Sequence, residues 1–583
     1  MITLGINAAF HDSSAALVVD GVTVAASEEE RFSRIKHAKR PVPFSAWELP
    51  FNAIDACLAQ AGITLADVDH VGYSFDPKEF LGDKATPTSL SLPMEPALAP
   101  HGDWENPWDP LFAAYIVNAP RQLVDGAPHH LQKRLTLPDP GRPPFRWHFV
   151  NHHLCHQASA FLAAPFARCA VMTLDGRGEH ATTTYGAWSP EHGYRSLGEV
   201  TMPHSLGMLY EQVTHHLGFL HSSDEYKVMA LAALGQPAYR AVLRDQVRVG
   251  GDGRYEIAPM DLGALFGPRR ERGAPMEQRH FDLAASLQAV LEETVLKICR
   301  WLRAASGEPN LAMAGGVALN CVMNSKLRDA GIFDRVWVQP AAGDAGTGLG
   351  AALWVDSQQR GAAATRTWSM EHVYLGPAYD DDAIEQALRW AKLPYRRHAS
   401  SDALVDATAE ILARDRIVGW FQGRMEFGPR SLGARSILAS PIDPEMQARL
   451  NELKDREDFR PVAPAVPHED LGAWFSPAAA NDGESPFMLF VYDVAPGQAA
   501  RIPSACHTDR TARVQTVHAD TNPRFHALLK AFGARTGVPV LVNTSFNVRG
   551  EPIVCTPRNA IEAFYSTPLD ALVIGSFIVE KAP

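Results

Sequence analysis

"ITLGINAAFHDSSAALVVDG", residues 2–21, sets an apolar strand, a short polar loop and a second apolar strand end to end, and Asp20-Gly21 then turns the chain into "VTVAASEEE". Asp-Gly between two strand-like runs signals a β-hairpin, because the tight turn needs a backbone conformation that glycine adopts freely. A second stretch, "CAVMTLDGRGEHATTTYGAW" at 169–188, repeats the plan with Asp175-Gly176 at its loop. Further on, "LAMAGGVALNCVMNSKLRD" (311–329) and "VWVQPAAGDAGTGLGAALW" (336–354) each read as a strand, a glycine turn and a helix start.

Two hairpin-bearing units, at 2–30 and 170–188, predict a duplicated N-terminal α/β domain of the actin and sugar-kinase type. In that fold two hairpin loops face a nucleotide's phosphates across a cleft, and a later glycine turn lets the backbone approach the nucleoside. Gly176, Gly315, Gly316 and Asn320 are the residues expected to border such a nucleotide. Taken alone, "AGGVALN" is an ordinary strand-to-helix turn; the order and spacing of the whole set give it meaning. A helix is expected to stop near Gly62, and another to run from about 281 to 306.

The chain's 583 residues exceed one ordinary domain, and 46% apolar against 21% charged residues is a globular mix able to fill more than one core. A formal net charge of -12 argues against nonspecific binding to nucleic acid or to anionic membranes, while leaving room for local basic pockets for phosphates. Seven cysteines without a CxxC pair argue for a reducing compartment and against a structural zinc module. With neither a signal-peptide pattern nor an apolar run long enough to span a bilayer, the expectation is a cytoplasmic protein with no membrane or nucleic-acid partner. The Pro-rich 77–147 region, with Trp104 and Trp108, reads as an insertion, either idle surface or a lid over an acceptor. A domain of residues 1–356, a linker at 357–371 and a second domain at 372–583 follow from the change of texture at "DSQQRGAAATRTWSM".

"NHHLCHQASAF" (151–161) reads as a helix in which His152 and His156, four residues apart, share one face. Alone, such a pair is more simply two polar contacts. Asp175 and Asp344, on loops that converge on the cleft of the expected fold, complete a two-His, two-Asp set suited to Fe(II) or a similar divalent metal. His153 is rotated about 100° from His152 and is a poorer ligand. His11, in a loop beside the cleft, is a candidate general base, with a turn residue as the plainer alternative. Lys36, in "EEERFSRIKH", either faces the cleft or belongs to a solvated charged face. In the C-terminal half, Arg430, Lys454, Arg456, Arg460 and Arg513 lie with Asn543 and Ser545 in loops shaped by glycine and proline. In an acidic protein, such cations read as a pocket for phosphate or carboxylate oxygens.

Together with "FHDSSAALVVDG", "SLGMLYEQVT", "DEYKVMALAALG", "GRMEFGPRSLGARSIL", "KDREDFRPVAP" and "NTSFNVRGEPI", these segments span nearly the whole chain. In this order they resemble the O-carbamoyltransferases of antibiotic and nodulation-factor biosynthesis, of the tobramycin, cephamycin and ansamitocin type. The N-terminal part is also similar to the metal enzyme of tRNA threonylcarbamoyladenosine synthesis, and the C-terminal part to its companion, a carbamoyl-adenylate-forming (YrdC-like) α/β domain. The resemblance implies that the C-terminal domain makes carbamoyl-adenylate from carbamoyl phosphate and Mg-bound ATP. The N-terminal domain then transfers the carbamoyl group to a hydroxyl of a small-molecule natural product.

It further implies His152, His156, Asp175 and Asp344 as iron ligands, His11 as base and Lys36 beside the reacting group. Arg430, Lys454, Arg460, Arg513, Asn543 and Ser545 would hold carbamoyl phosphate and ATP. A homodimer is compatible with the sequence. Rival readings are an enzyme acting on a tRNA adenosine, disfavoured by the acidic charge, and a nucleotide-switched scaffold, which needs no metal set.

Overall fold

The computed structural model describes residues 1–38, 48–84, 109–126, 134–361, 366, 368–476 and 483–581. Its first sheet comprises β1 (Ile2–Asn7), β2 (Ser14–Val19), β3 (Val22–Glu28), β4 (His70–Tyr73) and β5 (Arg146–Phe149), in the order β3-β2-β1-β4-β5. β1, β2 and β3 form an antiparallel meander, and β4 and β5 run parallel to β1. The second sheet repeats this plan strand for strand. It comprises β6 (Cys169–Leu174), β7 (Ala181–Ser189) and β8 (Gly193–Thr201), followed after a small hairpin, β9 (Val247–Val249) and β10 (Tyr255–Ile257), by β11 (Asn310–Ala314) and β12 (Arg335–Val338). Its order is β12-β11-β6-β7-β8, again an antiparallel meander with two parallel additions. The duplication expected from the two hairpin signals is therefore complete.

Each sheet is followed by a helix at the same topological position: His152–Phe161 after β5 and Ala345–Arg360 after β12. The two helices pack against each other, the second also against β1 and the first against β11 and β6. Small residues set the separation. A Cβ on Gly350 would lie 1.8 Å from the Cys155 carbonyl oxygen, and one on Gly5 would lie 1.9 Å from that of Gly348. Ser14 Oγ donates to the Ala345 carbonyl at 2.7 Å, tying β2 to the start of the second helix. The buried Cys155 is the small residue at this contact, and its thiol faces the Val150 carbonyl at 3.7 Å.

The long helix Gln278–Ser306 ends at Gly307 with φ +72°, and the helix Phe51–Ala61 ends at Gly62 with φ +68°. Both stops use glycine in the left-handed conformation that closes a helix. Of the 77–147 region, Pro77–Leu81, Asp109–Val117 and Ala119–Asp125 are helical, so its described residues are less irregular than expected. Trp104 and Trp108 lie outside the described residues.

The C-terminal part centres on a mixed eight-stranded sheet, β13-β23-β22-β14-β15-β21-β16-β20. Its strands are β13 (Arg396–Arg397), β14 (Val418–Phe421), β15 (Arg435–Ala439), β16 (Ala463–Pro467), β20 (Gln515–Val517), β21 (Leu541–Ser545), β22 (Ala571–Ile574) and β23 (Phe577–Glu580). β17 (Phe475–Ser476), β18 (Val491–Val494) and β19 (Thr511–Arg513) form a small sheet beside it. Helices Ser401–Leu412 and Pro523–Thr536 cover one face of the large sheet. On the other side an apolar core runs on into the second N-terminal sheet.

The segment expected as a linker at 357–371 begins inside a helix: Ala345–Arg360 continues through 357–360 before Gly361, at φ +81°, ends it. The Arg360–Asp356 ion pair at 2.6 Å, one turn apart, supports that extra turn. Beyond it, Arg366 donates to the Phe161 carbonyl at 2.8 Å. Among the described residues, no helix is long and apolar enough to cross a membrane.

Gly350→Val should push the two helices apart, because the contacting atom is backbone and cannot rotate away. A loss of about 1–3 kcal/mol in unfolding free energy is expected, the usual cost of overpacking, measured by denaturant unfolding. An unchanged midpoint would show that the helices have room to spare.

Candidate metal centre and anion pocket

His152 and His156 leave the first helix toward the cleft, Asp175 follows β6, and Asp344 caps the second helix. The Nε2 atoms of both imidazoles lie 3.7 Å from Asp175 Oδ2, and 3.7 and 3.6 Å from Asp344 Oδ1. All four residues are buried. These separations are too long for hydrogen bonds. They suit donors placed about 2.0–2.2 Å from one shared ion. His152 Nε2 and both nitrogens of His156 are buried without a hydrogen-bond partner among the described residues, so the donor set fits a divalent cation.

Electrostatics agree. Burial opposes charge on His152, but Asp175 and Asp344 outweigh it and hold its pKa well above the ordinary value. Burial likewise opposes charge on Asp175, and the two imidazoles override it to hold that carboxyl well below its usual range. A cation does the same work as those protons.

Neighbouring groups orient the ligands. His152 Nδ1 lies 3.2 Å from the Ser74 carbonyl, which holds a proton on that nitrogen and leaves Nε2 for an ion. Asp175 Oδ1 accepts from Gly316 N at 2.8 Å. Glu179, unnoticed in the sequence reading although it ends "LDGRGE", accepts from His152 N at 2.9 Å and from Asp76 N at 2.7 Å. It thereby fixes the start of the His helix. His153 faces away from the centre toward Thr184 Oγ1 at 3.3 Å, and burial lowers its pKa to about 3.

His11 sits between Phe10 and Asp12, both at φ +52°, a conformation that non-glycine residues hold only under constraint. Asn7 Nδ2 supplies that constraint by donating to the carbonyls of His11 and Asp12 at 3.0 and 3.2 Å. His11 Nε2 is 3.8 Å from Asp344 Oδ2, and its Nδ1 is 2.9 Å from Asp12 Oδ2. The other oxygen of Asp12 meets His37 Nδ1 at 2.9 Å. Asp12 and His37 were missed because each shows its role only through the folded loop.

The run "EEERFSRIKH" is not a solvated face. Glu28 and Arg31 are buried and paired at 2.7 Å, and Arg31 donates to the Gly428 carbonyl of the C-terminal part at 2.9 Å. Lys36, at the end of the run, stands 5.9 Å over the Tyr226 ring, and its charge reaches Lys454. The turn at 36–37 thus borders two places at once.

The second place is the cation cluster. Lys454 is buried and donates to Ser545 O at 2.6 Å, Ser545 Oγ at 2.8 Å and Asn547 Oδ1 at 2.7 Å. Burial, then Arg456, Arg460 and Lys36, hold its pKa well below the usual lysine value. Burial and then Arg513 push Arg430 down to about 9, and burial and then Arg460 do the same to Arg456. Guanidinium groups stay charged at neutral pH, so this crowding is repulsion that an anion would relieve. Nε of Arg430 and Arg513 and one terminal nitrogen of Arg456 are buried with no acceptor among the described residues.

Arg460 stacks on Tyr226 at 4.7 Å and faces Glu457 at 3.7 Å, while Glu457 pairs with Lys227 at 2.9 Å. Tyr226 and Lys227, from "DEYKVMALAALG", carry the N-terminal part into the pocket. One oxygen of Glu426 accepts from the amides of Leu432, Ala434 and Arg435 at 2.7, 2.8 and 3.2 Å, which shapes the loop that presents Arg430. Asn543 lies behind that loop, donating to Gln515 Oε1 at 2.7 Å and Ser431 O at 3.2 Å.

The four residues expected beside a nucleotide build the junction behind Asp175. Gly315, at φ +94°, has no room for a Cβ, which would meet the Leu174 carbonyl at 2.2 Å. Gly316 donates to Asp175, as described. Gly176 packs against Gly207, where a Cβ would lie 2.9 Å from Gly176 N. Asn320 caps the helix Cys321–Asp329 and donates to Gln288 Oε1 at 2.8 Å.

A buried two-His, two-Asp cluster and a crowded set of cations thus lie on two parts that share a core. Residues 2–353 match the family model described as Carbamoyltransferase N-terminus, and residues 409–581 match Carbamoyltransferase C-terminus. This chain belongs to the carbamoyltransferase family and is a transferase.

It is 37% identical over 584 residues to nodulation protein NolNO of Sinorhizobium fredii, covering 99% of this chain and 80% of that one. It is 34% identical over 370 residues to 3'-hydroxymethylcephem-O-carbamoyltransferase of Amycolatopsis lactamdurans, covering 62% and 65%. An uncharacterized protein of Synechocystis is 39% identical over 638 residues, covering 99% of this chain and 96% of that protein.

His152→Ala and Asp344→Ala should each lose the bound divalent metal, read by elemental analysis of the purified, folded protein. Full occupancy in both variants would remove these residues from the ligand set.

Proposed function

We propose that this chain is an ATP-dependent O-carbamoyltransferase that works at two sites. The observation that carries the reading is the turn at 36–37. Lys36 reaches toward the cation pocket while His37 pairs with Asp12, which holds His11 beside the metal ligands. In the pocket, Arg430, Lys454, Arg460 and Arg513 neutralise carbamoyl phosphate and the triphosphate of Mg-bound ATP, with Ser545 and Asn543 shaping its wall. Carbamoyl phosphate, ATP and water give carbamoyl-adenylate, pyrophosphate and phosphate. Guanidinium forks and a desolvated ammonium stabilise the charge that develops on the leaving oxygens.

Transfer belongs to the N-terminal centre. His152, His156, Asp175 and Asp344 would hold a divalent ion of the Fe(II) class, which would supply Lewis-acid polarisation of a carbonyl. His11 Nε2 takes the proton of the acceptor hydroxyl, the hydroxyl oxygen bonds to the carbamoyl carbon, and the bond from that carbon to AMP breaks. Asp12 keeps the His11 proton on Nδ1, so that Nε2 is the basic nitrogen, as in an imidazole oriented by a carboxylate. Gly176, Gly315, Gly316 and Asn320 line the side on which the adenylate's nucleoside would rest.

The acceptor is read as a small-molecule hydroxyl compound, with the cephem O-carbamoyltransferase as precedent. The cytoplasm suits the unpaired cysteines, all seven of which are free. Acidic charge and the fused cation pocket disfavour a tRNA acceptor.

Pyrophosphate release from ATP should depend on carbamoyl phosphate and need neither threonine nor tRNA. Release independent of carbamoyl phosphate would contradict the first half-reaction. His11→Asn should leave that release intact while carbamoylated acceptor, measured by mass spectrometry, falls by about 10²–10⁴-fold. Unchanged product would return His11 to a loop role.

A further inference from the structure

The loop that carries His11 is strained on both sides of it, and such strain persists only where the surroundings enforce it. Asn7 holds one side. The other is held by His37, itself at φ +59°. Asp12 N donates to the His37 carbonyl at 3.1 Å, and His37 Nδ1 meets Asp12 Oδ1 at 2.9 Å. Backbone and side chain thus clasp the loop at two points. His37 N donates in turn to Glu30 Oε2 at 2.6 Å, and Glu30 pairs with the buried Arg31 at 2.6 Å. Donor atoms of Asp12, Glu30 and His37 lie within 4.8 Å of one another. Both carboxylates already have partners, the His11 and His37 rings for Asp12 and Arg31 with a backbone amide for Glu30. The cluster is therefore a hydrogen-bonded chain rather than a cation site.

The far edge of the His37 ring meets a third segment: Nε2 lies 3.1 Å from Ser223 Oγ. Burial opposes charge on Asp12, but His37 and then His11 override it and hold that carboxyl well below its usual range. An ionised carboxylate only accepts. The proton of the neutral His37 ring therefore sits on Nδ1, which leaves Nε2 to accept from the Ser223 hydroxyl. A chain of contacts then runs from Ser223 through His37 and Asp12 to His11 Nδ1. Ser223 is itself held in a closed turn. Ser222, at φ +56°, donates its amide to Glu225 Oε1 at 2.8 Å, and Leu220 N donates to Asp224 Oδ2 at 3.1 Å. Helix Glu225–Ala232 follows at once, and its Tyr226 and Lys227 are the residues that reach Arg460 and Glu457.

We propose that Ser223 and His37 are positioning residues of the transfer step. Ser223 sets the tautomer and rotation of the His37 ring, His37 fixes Asp12, and Asp12 presents His11 Nε2 to the acceptor hydroxyl. This rests on the role given to His11 above and adds two residues that act through Asp12. A misplacement of about 1 Å can cost about 10²-fold in rate, so a base on a strained loop depends on the contacts that hold the loop. Those contacts come from the 36–37 turn and from the 220–224 turn, and both turns also border the cation pocket.

The test is a double-mutant cycle in the full, metal-loaded chain, with carbamoyl-adenylate as donor and glycerol as the hydroxyl probe, read as carbamoyl-glycerol by mass spectrometry. Ser223→Ala should lower the rate about five- to tenfold, the worth of one hydrogen bond, and Ser223→Thr, which keeps the hydroxyl, should restore it. His37→Asn suits the left-handed backbone and keeps a donor for Asp12, but removes the acceptor for Ser223. In that background Ser223→Ala should change the rate by less than about twofold, because members of one chain are not additive. An unchanged rate in Ser223→Ala, or the same loss in both backgrounds, would overturn the proposal. A second arm needs no acceptor. Long-range ¹⁵N–¹H spectra of the histidine-labelled, Zn²⁺-loaded chain at about pH 8, where an ordinary imidazole is neutral, should show His37 protonated on Nδ1 alone, its signals assigned by their loss in His37→Asn. A proton on Nε2 would overturn the proposal. If no chain, the parent included, forms carbamoyl-glycerol, the two-site reading is what fails, and the His37 tautomer still decides for or against the chain from Ser223.

Discussion

The contact on which the molecule turns is the one between two helices that no side chain separates. At Gly350 the backbone of Ala345–Arg360 lies so near the Cys155 carbonyl that a single methyl would be 1.8 Å from it. That approach lets Asp344, at the head of one helix, reach imidazoles on the other. Any larger residue would widen the gap and move the carboxylate by more than the tolerance of a metal site, which is about 0.5 Å. The symmetry of the two sheets supplies the rest: equivalent helices follow equivalent strands and meet at the pseudo-symmetric centre. The hairpin loops after β1 and β6 bring His11 and Asp175 to the same point.

The two candidate sites are opposite in sign and alike in logic. At the first, carboxylates and imidazoles are buried with donor atoms turned toward one another, and the imidazole nitrogens that face the centre have no hydrogen-bond partner among the described residues. At the second, guanidinium groups crowd round a buried ammonium, and one nitrogen each of Arg430, Arg456 and Arg513 has no acceptor among the described residues. Either arrangement raises the free energy of the empty protein and lowers it again when the right ion arrives, so ligand binding and stability are linked. The turn at 36–37 is the short segment from which side chains extend toward both.

Much of this was legible in the chain. Asp20-Gly21 and Asp175-Gly176 marked the hairpins because turn chemistry is local. The His152–His156 spacing marked one helix face because helix geometry is local. The cations of the C-terminal loops stood out for the same reason. Glu179, Glu426, Asp12, His37 and Tyr226 did not, because each acts by a hydrogen bond, charge or ring contact to a partner that only folding brings close. Arg31 is the clearest case. In sequence it belongs to a charged run, and only the Gly428 carbonyl, 397 residues away, reveals that the run is buried between the two parts. The expected linker started four residues inside a helix because Asp356 and Arg360 prolong it past the end of the apolar pattern.

The division of labour between the two parts is the central claim, and chemically prepared carbamoyl-adenylate tests it most directly. Arg460→Ala removes one cation from the pocket and touches none of the residues around His152. Supplied with carbamoyl-adenylate and a hydroxyl acceptor, this variant should form carbamoylated product at close to the parent rate, although it makes almost none from carbamoyl phosphate and ATP. If the folded, metal-loaded variant transfers nothing from the supplied intermediate, the two sites do not divide the reaction as described.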